Sequence, residues 1–144
     1  MNKHQNNRAG IRAWLNPWRY GIERFAYWLM RITGIGLLIY FIIHIYETSS
    51  ILEGKEIWNK MLDLTQTTEG HIILILVIGM ATFHTINGIR IMLGHGGIGI
   101  GNASRPDYPY IPKSQNMKNK LCIYASVGLA ALAMLYGAEV MFGE

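Results

Sequence analysis

Cysteine and charge are both scarce in this 144-residue sequence, which has the length of a single domain. Cys122 is the only cysteine, which excludes an internal disulfide and a Cys-x-x-Cys-His sequence for covalent haem attachment. It also excludes an iron–sulfur cluster held by this chain alone, because such clusters take about four thiolates. Charged residues make up only 15% of the chain, whereas 51% of it is apolar.

The apolar residues are concentrated in three long runs, at residues 25–46, 71–93 and 121–142. A soluble domain would instead alternate polar and apolar residues throughout. A helix needs about 20 residues to cross a hydrocarbon core of about 30 Å, and barrel strands are much shorter. The sequence therefore predicts an all-α integral membrane protein, a bundle of three transmembrane helices. The alternative is a soluble bundle of unusually apolar helices.

The connecting segments differ in the sign of their charge, which predicts the orientation. Segment 1–24 is basic and carries Lys3, Arg8, Arg12, Arg19 and Arg24 against Glu23 alone. Segment 94–120 is also basic, with Arg105, Lys113, Lys118 and Lys120 against Asp107. Segment 47–70 is acidic, with Lys55 and Lys60 against Glu47, Glu53, Glu56, Asp63 and Glu69. Basic segments stay on the cytoplasmic side, so the N-terminus is predicted inside and the C-terminus outside. The net charge of +4 follows from this topology and does not indicate nucleic acid.

Three local patterns add detail. Asn16-Pro17 is typical of a helix start, and the aromatic residues after it predict an interfacial stretch. The run 94–99 matches G-x-G-x-x-G but follows a helix rather than a strand, so we interpret it as a tight helix exit and not as a dinucleotide site. Small residues four apart in the third span predict close helix packing. These pairs are Ser126 with Ala130 and Ala133 with Gly137.

Ionisable side chains inside the predicted spans are the candidate functional residues, because burying charge in lipid is costly. They are Arg31, His44, His84 and Arg90. Arg90 can extend to the interface from its helix end, whereas Arg31 lies further inside. His84 is deeper still, and Ala81, Asn87 and Gly88 share its helical face and would leave room for a planar group. Spacing alone leaves two interpretations of His84, a metal ligand or a hydrogen-bond partner of a neighbouring helix.

Two motifs resemble those of the cytochrome b membrane-anchor subunit of succinate dehydrogenase, the succinate:quinone oxidoreductase of respiratory complex II. Tyr27-Trp28-Leu29-Met30-Arg31-Ile32-Thr33-Gly34 is similar to its helix-one motif. Phe83-His84-Thr85-Ile86-Asn87-Gly88-Ile89-Arg90 is similar to its helix-two signature, an aromatic-His pair before Gly-Ile-Arg. Their order, their spacing and the three-helix layout extend the resemblance over about residues 20–142.

The resemblance implies a set of site residues. His84, beside Gly88, would be an axial ligand of haem b, and a second membrane-anchor subunit would supply the other ligand. Arg31 would lie near a haem propionate and the quinone substrate. Two positions depart from the family pattern. Met30 stands where the family often has histidine, which removes a possible propionate contact. Tyr27 stands where many members have serine, which leaves the quinone donor open, although the Tyr27 hydroxyl could substitute.

His44 has two interpretations. Ile43-His44-Ile45-Tyr46-Glu47 looks like a variant found in prokaryotic relatives with two haems, which implies a second, outer haem iron at His44. Alternatively, His44 bonds Glu47 or a backbone carbonyl. Helix geometry puts His44 about 10 Å beyond the depth of His84 and about 140° around the helix from Arg31.

The chain lacks a flavin motif and a catalytic carboxylate pair, so no activity is expected from it alone. The resemblance implies a flavoprotein subunit, an iron–sulfur subunit and membrane lipid as further partners. The cytoplasmic membrane, or the mitochondrial inner membrane in a eukaryote, is the expected location. The alternatives are the cytochrome b anchor of a fumarate reductase or of another respiratory complex, and a non-redox membrane adaptor.

Overall fold

The computed structural model describes residues 22–98 and 117–143, and these residues are all-helical. The helices are α1 (Ile22–Ser49), α2 (Lys55–Thr65), α3 (Thr68–His95) and α4 (Met117–Phe142), with a 3-10 turn at Ser50–Glu53. The three long helices, α1, α3 and α4, are each long and apolar enough to cross a membrane, which confirms the predicted three-helix bundle. The Asn16-Pro17 helix start and the proline-containing part of segment 94–120 lie outside the described residues.

The long helices extend past the predicted spans. With 28 residues each, α1 and α3 are about 42 Å long and exceed the hydrocarbon core by about 12 Å. At its start, α3 is capped by Thr67, whose hydroxyl accepts a hydrogen bond from the Gly70 N–H at 3.1 Å. The cap explains why the helix begins before the apolar run that starts at His71.

The C-terminal end of α3 is formed by a capping motif that requires a glycine. The Ile98 N–H bonds the Leu93 carbonyl at 2.9 Å, and the Gly97 N–H bonds the Gly94 carbonyl at 3.0 Å. This pair of bonds is a Schellman motif, which needs a left-handed residue at Gly97, where φ is 83°. The tight helix exit predicted from the glycines is confirmed as far as Ile98.

Segment 47–70, which the sequence predicted to be a loop, contains a helix. Here α2 places Ile57, Trp58 and Met61 on one half-buried face, while its charged residues are exposed. The 3-10 turn is separated from α2 by Gly54, whose φ of 108° suits only glycine.

The most extensive packing is between α3 and α4, and small residues make it possible. A Cβ on Gly137 would come within 3.2 Å of Cδ1 of Ile78, and one on Gly79 would collide with Met134. Ser126 is fully buried on the same face of α4. The close packing predicted from the small residues of the third span is therefore confirmed.

The remaining long helix, α1, packs against α3 but buries little of its own surface. Ala26 and Phe83 meet Ile123 in the apolar core, at the end of the bundle that holds the start of α1, the end of α3 and the start of α4. We call this end the basic end. There, Lys120 of α4 also approaches Glu23 of α1, with 3.8 Å between their charged atoms. Most apolar side chains of α1 remain exposed, namely Ile32, Ile35, Leu38, Ile39, Phe41, Ile42, Ile43 and Ile45.

Candidate functional site

His84 lies in the middle of α3 and faces α1. Its neighbour Phe83 is 2% exposed and points into the core. Because successive residues of a helix are about 100° apart, His84 points away from that core. The His84 Nδ1 atom lies 3.1 Å from Oγ1 of Thr33. Within residues 22–98 and 117–143, no group hydrogen-bonds the other ring nitrogen, Nε2.

Thr33 and Gly34 of α1 form the contact surface for the His84 ring, and we call these two residues the His84 seat. Thr33 is 3% exposed, and its hydroxyl donates to the Leu29 carbonyl at 2.8 Å, with the Met30 carbonyl at 3.2 Å. A Cβ on Gly34 would come 3.1 Å from Cε1 of His84. The ring therefore lies against α1 at a position where any larger residue would force it to shift by a few tenths of an ångström.

An open groove follows the same stretch of α1. It is lined by Met30, Arg31, Gly34, Ile35 and Leu38. Gly34 belongs both to this groove and to the contact surface of the His84 ring, whereas His84 itself is not among the residues that line the groove. The lining is apolar except for the guanidinium of Arg31. The groove therefore combines an apolar wall with one cation, and Gly34 is the residue that it shares with the His84 contact.

Arg31 and Tyr27, the two predicted quinone residues, contact each other. The guanidinium carbon of Arg31 lies 4.4 Å from the ring centroid of Tyr27, a cation–π distance. Tyr27 is 42% exposed and Arg31 is also exposed. The pair therefore presents a cation and a phenolic hydroxyl outside this chain's own packing.

The space next to Gly88 contains a methionine side chain. The Met30 methyl group would lie 3.3 Å from a Cβ on Gly88. The Met30 sulfur accepts a 3.4 Å hydrogen bond from Nδ2 of Asn87, which is 1% exposed. The Oδ1 atom of Asn87 in turn accepts from Nε of Arg90 at 2.9 Å. Met30 therefore fills the room next to Gly88 that was expected to hold a planar group, and Arg90 is held by Asn87, its neighbour on α3.

His44 is separate from this site. The contact between Thr33 and His84 shows that these two residues lie at about the same level along the bundle. His44 lies eleven residues further along α1, which puts it about 16 Å from that level. The distance expected from the sequence was about 10 Å. The His44 side chain is 49% exposed, and its Nδ1 lies 3.7 Å from Oε2 of Glu47. Its ring also stacks on Tyr40, with 5.5 Å between centroids. The contact with Glu47 that the sequence analysis weighed is thus present.

The described residues offer His84 as an isolated metal-ligating side chain on α3 at this site. In the two described stretches, no three His, Cys, Asp or Glu side chains come together as a metal site. A haem takes four nitrogen ligands from its porphyrin and only its axial ligands from protein, so a single imidazole such as that of His84 is a donor that it could use.

One site residue, Thr33, was not predicted. The feature that could have pointed to Thr33 is its hydroxyl group, which lies inside an apolar span and within the motif that also contains Arg31 and Gly34. A hydroxyl in a helix usually bonds its own backbone, as Thr33 also does. Its second contact depends on how α1 and α3 are aligned, which one sequence does not specify.

Comparison with known proteins gave one match. The sequence model of the family described as "Succinate dehydrogenase/Fumarate reductase transmembrane subunit" matches residues 5–108, which include α1, α2, α3 and both motifs. No curated protein and no solved structure matches the chain.

Proposed function

Because the chain belongs to the succinate dehydrogenase/fumarate reductase transmembrane subunit family, we propose that it is the haem b-binding membrane anchor of a succinate dehydrogenase. In this role it helps to pass electrons from an iron–sulfur subunit to membrane quinone. It is part of an enzyme but not its catalytic core. The single observation that supports the proposal most strongly is the arrangement of His84. One ring nitrogen lies at Thr33, and the other has no hydrogen-bond partner within the described residues.

His84 would hold the haem iron through Nε2, as a neutral imidazole with one lone pair to donate. Haem b supplies one-electron redox chemistry when bound. Arg31 would place its positive charge near a haem propionate, a role that the family motif implies and that suits the one cation of the groove. Gly88 contributes indirectly, by leaving room for Met30.

Arg31 and Tyr27 would bind the quinone. A guanidinium and a phenolic hydroxyl both donate hydrogen bonds, and quinone carbonyl oxygens accept them. The stacking of Arg31 on Tyr27 limits the positions of the guanidinium before any ligand arrives. The two side chains thus form one donor group rather than two separate donors.

The proposed function implies further subunits, because the sequence has no flavin motif and only one cysteine. The exposed apolar face of α1 would contact lipid and a second membrane-anchor subunit, which supplies the other haem ligand. The iron–sulfur subunit would dock at the basic end, where Lys118 and Lys120 begin α4. A flavoprotein subunit would oxidise succinate. The basic end would face the cytoplasm of a bacterium, or the matrix across the mitochondrial inner membrane in a eukaryote.

A second haem at His44 is a further candidate. Glu47 lies where it can orient the His44 ring, as carboxylates commonly do for metal-ligating histidines. The axial separation from His84, about 16 Å, leaves room for two separate haems. The haem content of the purified complex distinguishes one haem from two.

The test of the proposal is a reduced-minus-oxidised absorption spectrum of the purified complex with His84→Leu. The expected result is loss of a b-type haem signal, because leucine has no lone pair to donate. His71→Gln is the matched control on the same helix, since His71 packs edge-on against Phe142 and should leave the spectrum unchanged. An unaltered haem content in His84→Leu would refute the assignment.

The same preparation separates the competing functions. A non-redox membrane adaptor would give no haem spectrum in the wild type. A fumarate reductase would carry haem but turn over fumarate faster than succinate under the same conditions. The anchor of another respiratory complex would copurify without a succinate-oxidising flavoprotein.

A further inference from the structure

The contact between Thr33 and His84 has a consequence for haem binding. We propose that Thr33 is a positioning residue that accepts a hydrogen bond from the Nδ1–H of His84 and thereby holds the Nε2 lone pair ready for iron. The part of this inference that concerns iron rests on the proposed haem function. The part that concerns the proton on His84 does not.

The position of the proton follows from counting hydrogens. Thr33 has one hydroxyl hydrogen, and Oγ1 lies 2.8 Å from the Leu29 carbonyl oxygen, which can only accept. With its hydrogen directed there, Oγ1 can only accept from the second partner, Nδ1 of His84, at 3.1 Å. Nδ1 must then carry a hydrogen. A neutral imidazole has one ring N–H, so Nε2 keeps its lone pair.

The reverse arrangement is disfavoured by the surroundings of the ring. If the Thr33 hydroxyl donated to Nδ1, the His84 hydrogen would be on Nε2. No group in the two described stretches hydrogen-bonds Nε2, so that N–H would have no acceptor in this part of the chain. An N–H without an acceptor in an apolar environment costs free energy. The carbonyls of Leu29 and Met30 both lie within reach of the Thr33 hydroxyl, so its hydrogen has acceptors on α1 and need not be donated to Nδ1.

Gly34 completes the arrangement. It lets the ring approach α1 closely enough for the Thr33 contact, since a Cβ at this position would lie 3.1 Å from Cε1. Thr33 is 3% exposed, so little water competes for Nδ1. A hydrogen bond from Nδ1–H to Oγ1 also makes Nε2 a more basic ligand, which favours ferric over ferrous iron.

The experiment compares Thr33→Val with Thr33→Ser in the purified complex. Valine keeps the shape of threonine but has no oxygen, whereas serine keeps the hydroxyl. Thr82→Val is the matched control, because Thr82 makes the same local bond, at 2.8 Å to the Ile78 carbonyl, without touching a histidine. The readouts are haem retention on dilution, the haem midpoint potential, and the ring protonation of His84 by nitrogen-15 NMR of histidine-labelled complex.

Thr33→Val should weaken haem retention about 10- to 100-fold, the usual effect of removing a partner of a ligating histidine. It should also raise the midpoint potential and abolish the preference for Nδ1–H. Thr33→Ser and Thr82→Val should match the wild type in all three measurements. Wild-type values in Thr33→Val, or equal changes in Thr33→Ser, would overturn the inference. If the wild type binds no haem, the proposed function fails, and the NMR measurement alone decides the role of Thr33.

Discussion

Removing the positive charge of Arg31 should slow quinone reduction. Arg31→Gln should lower electron transfer from succinate to quinone on the order of 10- to 100-fold, because a hydrogen bond from a charged donor is worth about 1.5–3 kcal/mol. Reduction of a water-soluble dye by the soluble subunits should be unaffected, because that reaction bypasses the anchor. Lys60→Gln, which removes an exposed charge paired with Glu56, is the control. Equal quinone activity in both variants would exclude Arg31 from the quinone site.

Gly34 should be sensitive to the addition of a single methyl group. Gly34→Ala places a Cβ 3.1 Å from the His84 ring, so the ring must shift by a few tenths of an ångström. We expect an altered haem absorption or electron paramagnetic resonance spectrum with the fold retained. Gly128→Ala is the control, because no atom lies within 4 Å of its added Cβ. Identical spectra for Gly34→Ala and the wild type would show that the ring is not held against α1.

The site residues differ in how far the sequence alone revealed them. His84 and Arg31 could be proposed from the sequence because ionisable groups are rare in apolar spans and because the two residues lie in two motifs. Thr33 was not, because its significance depends on its depth relative to His84. The 3.1 Å contact shows that these two residues lie at one level. For the same reason, the distance of His44 from the level of His84 is larger than the sequence led us to expect.

At the scale of helices, the α3–α4 interface should depend on its small residues. Gly137→Leu should destabilise the bundle by about 1–3 kcal/mol, because Ile78 and Ile75 occupy the space that leucine needs. Heating the detergent-solubilised protein and measuring the monodisperse fraction by size-exclusion chromatography tests this. Gly128→Leu, on an open face of α4, should be close to the wild type. Equal loss in both variants would contradict the packing described here.

The three long helices were predictable, whereas their bounds and α2 were not. Long apolar runs can satisfy their backbone in lipid only as helices, so composition was sufficient to predict them. The start of α3 depends on the Thr67 cap, which lies in a polar segment. Lys55–Thr65 has no net apolar character, and its helix is marked only by the spacing of Ile57, Trp58 and Met61.

At the scale of the whole molecule, the predicted orientation can be tested with a single new cysteine. Leu52 lies in the 3-10 turn between α1 and α2 and is 88% exposed. In a Cys122→Ser background, Leu52→Cys should react with a membrane-impermeant maleimide from outside right-side-out vesicles. Ser126→Cys, in the fully buried interface of α4, is the unreactive control. Labelling of Leu52→Cys only after the vesicles are opened would reverse the assigned topology.

The central claim is that His84, seated on Thr33 and Gly34, holds a haem iron. The most direct measurement is an experimental density map of the purified complex at a resolution that shows side chains. We expect porphyrin density beside α1, with iron on Nε2 of His84 and Nδ1 still next to Thr33. A map in which this imidazole faces lipid or only bonds a neighbouring helix, with no porphyrin beside it, would show that His84 does not hold a haem.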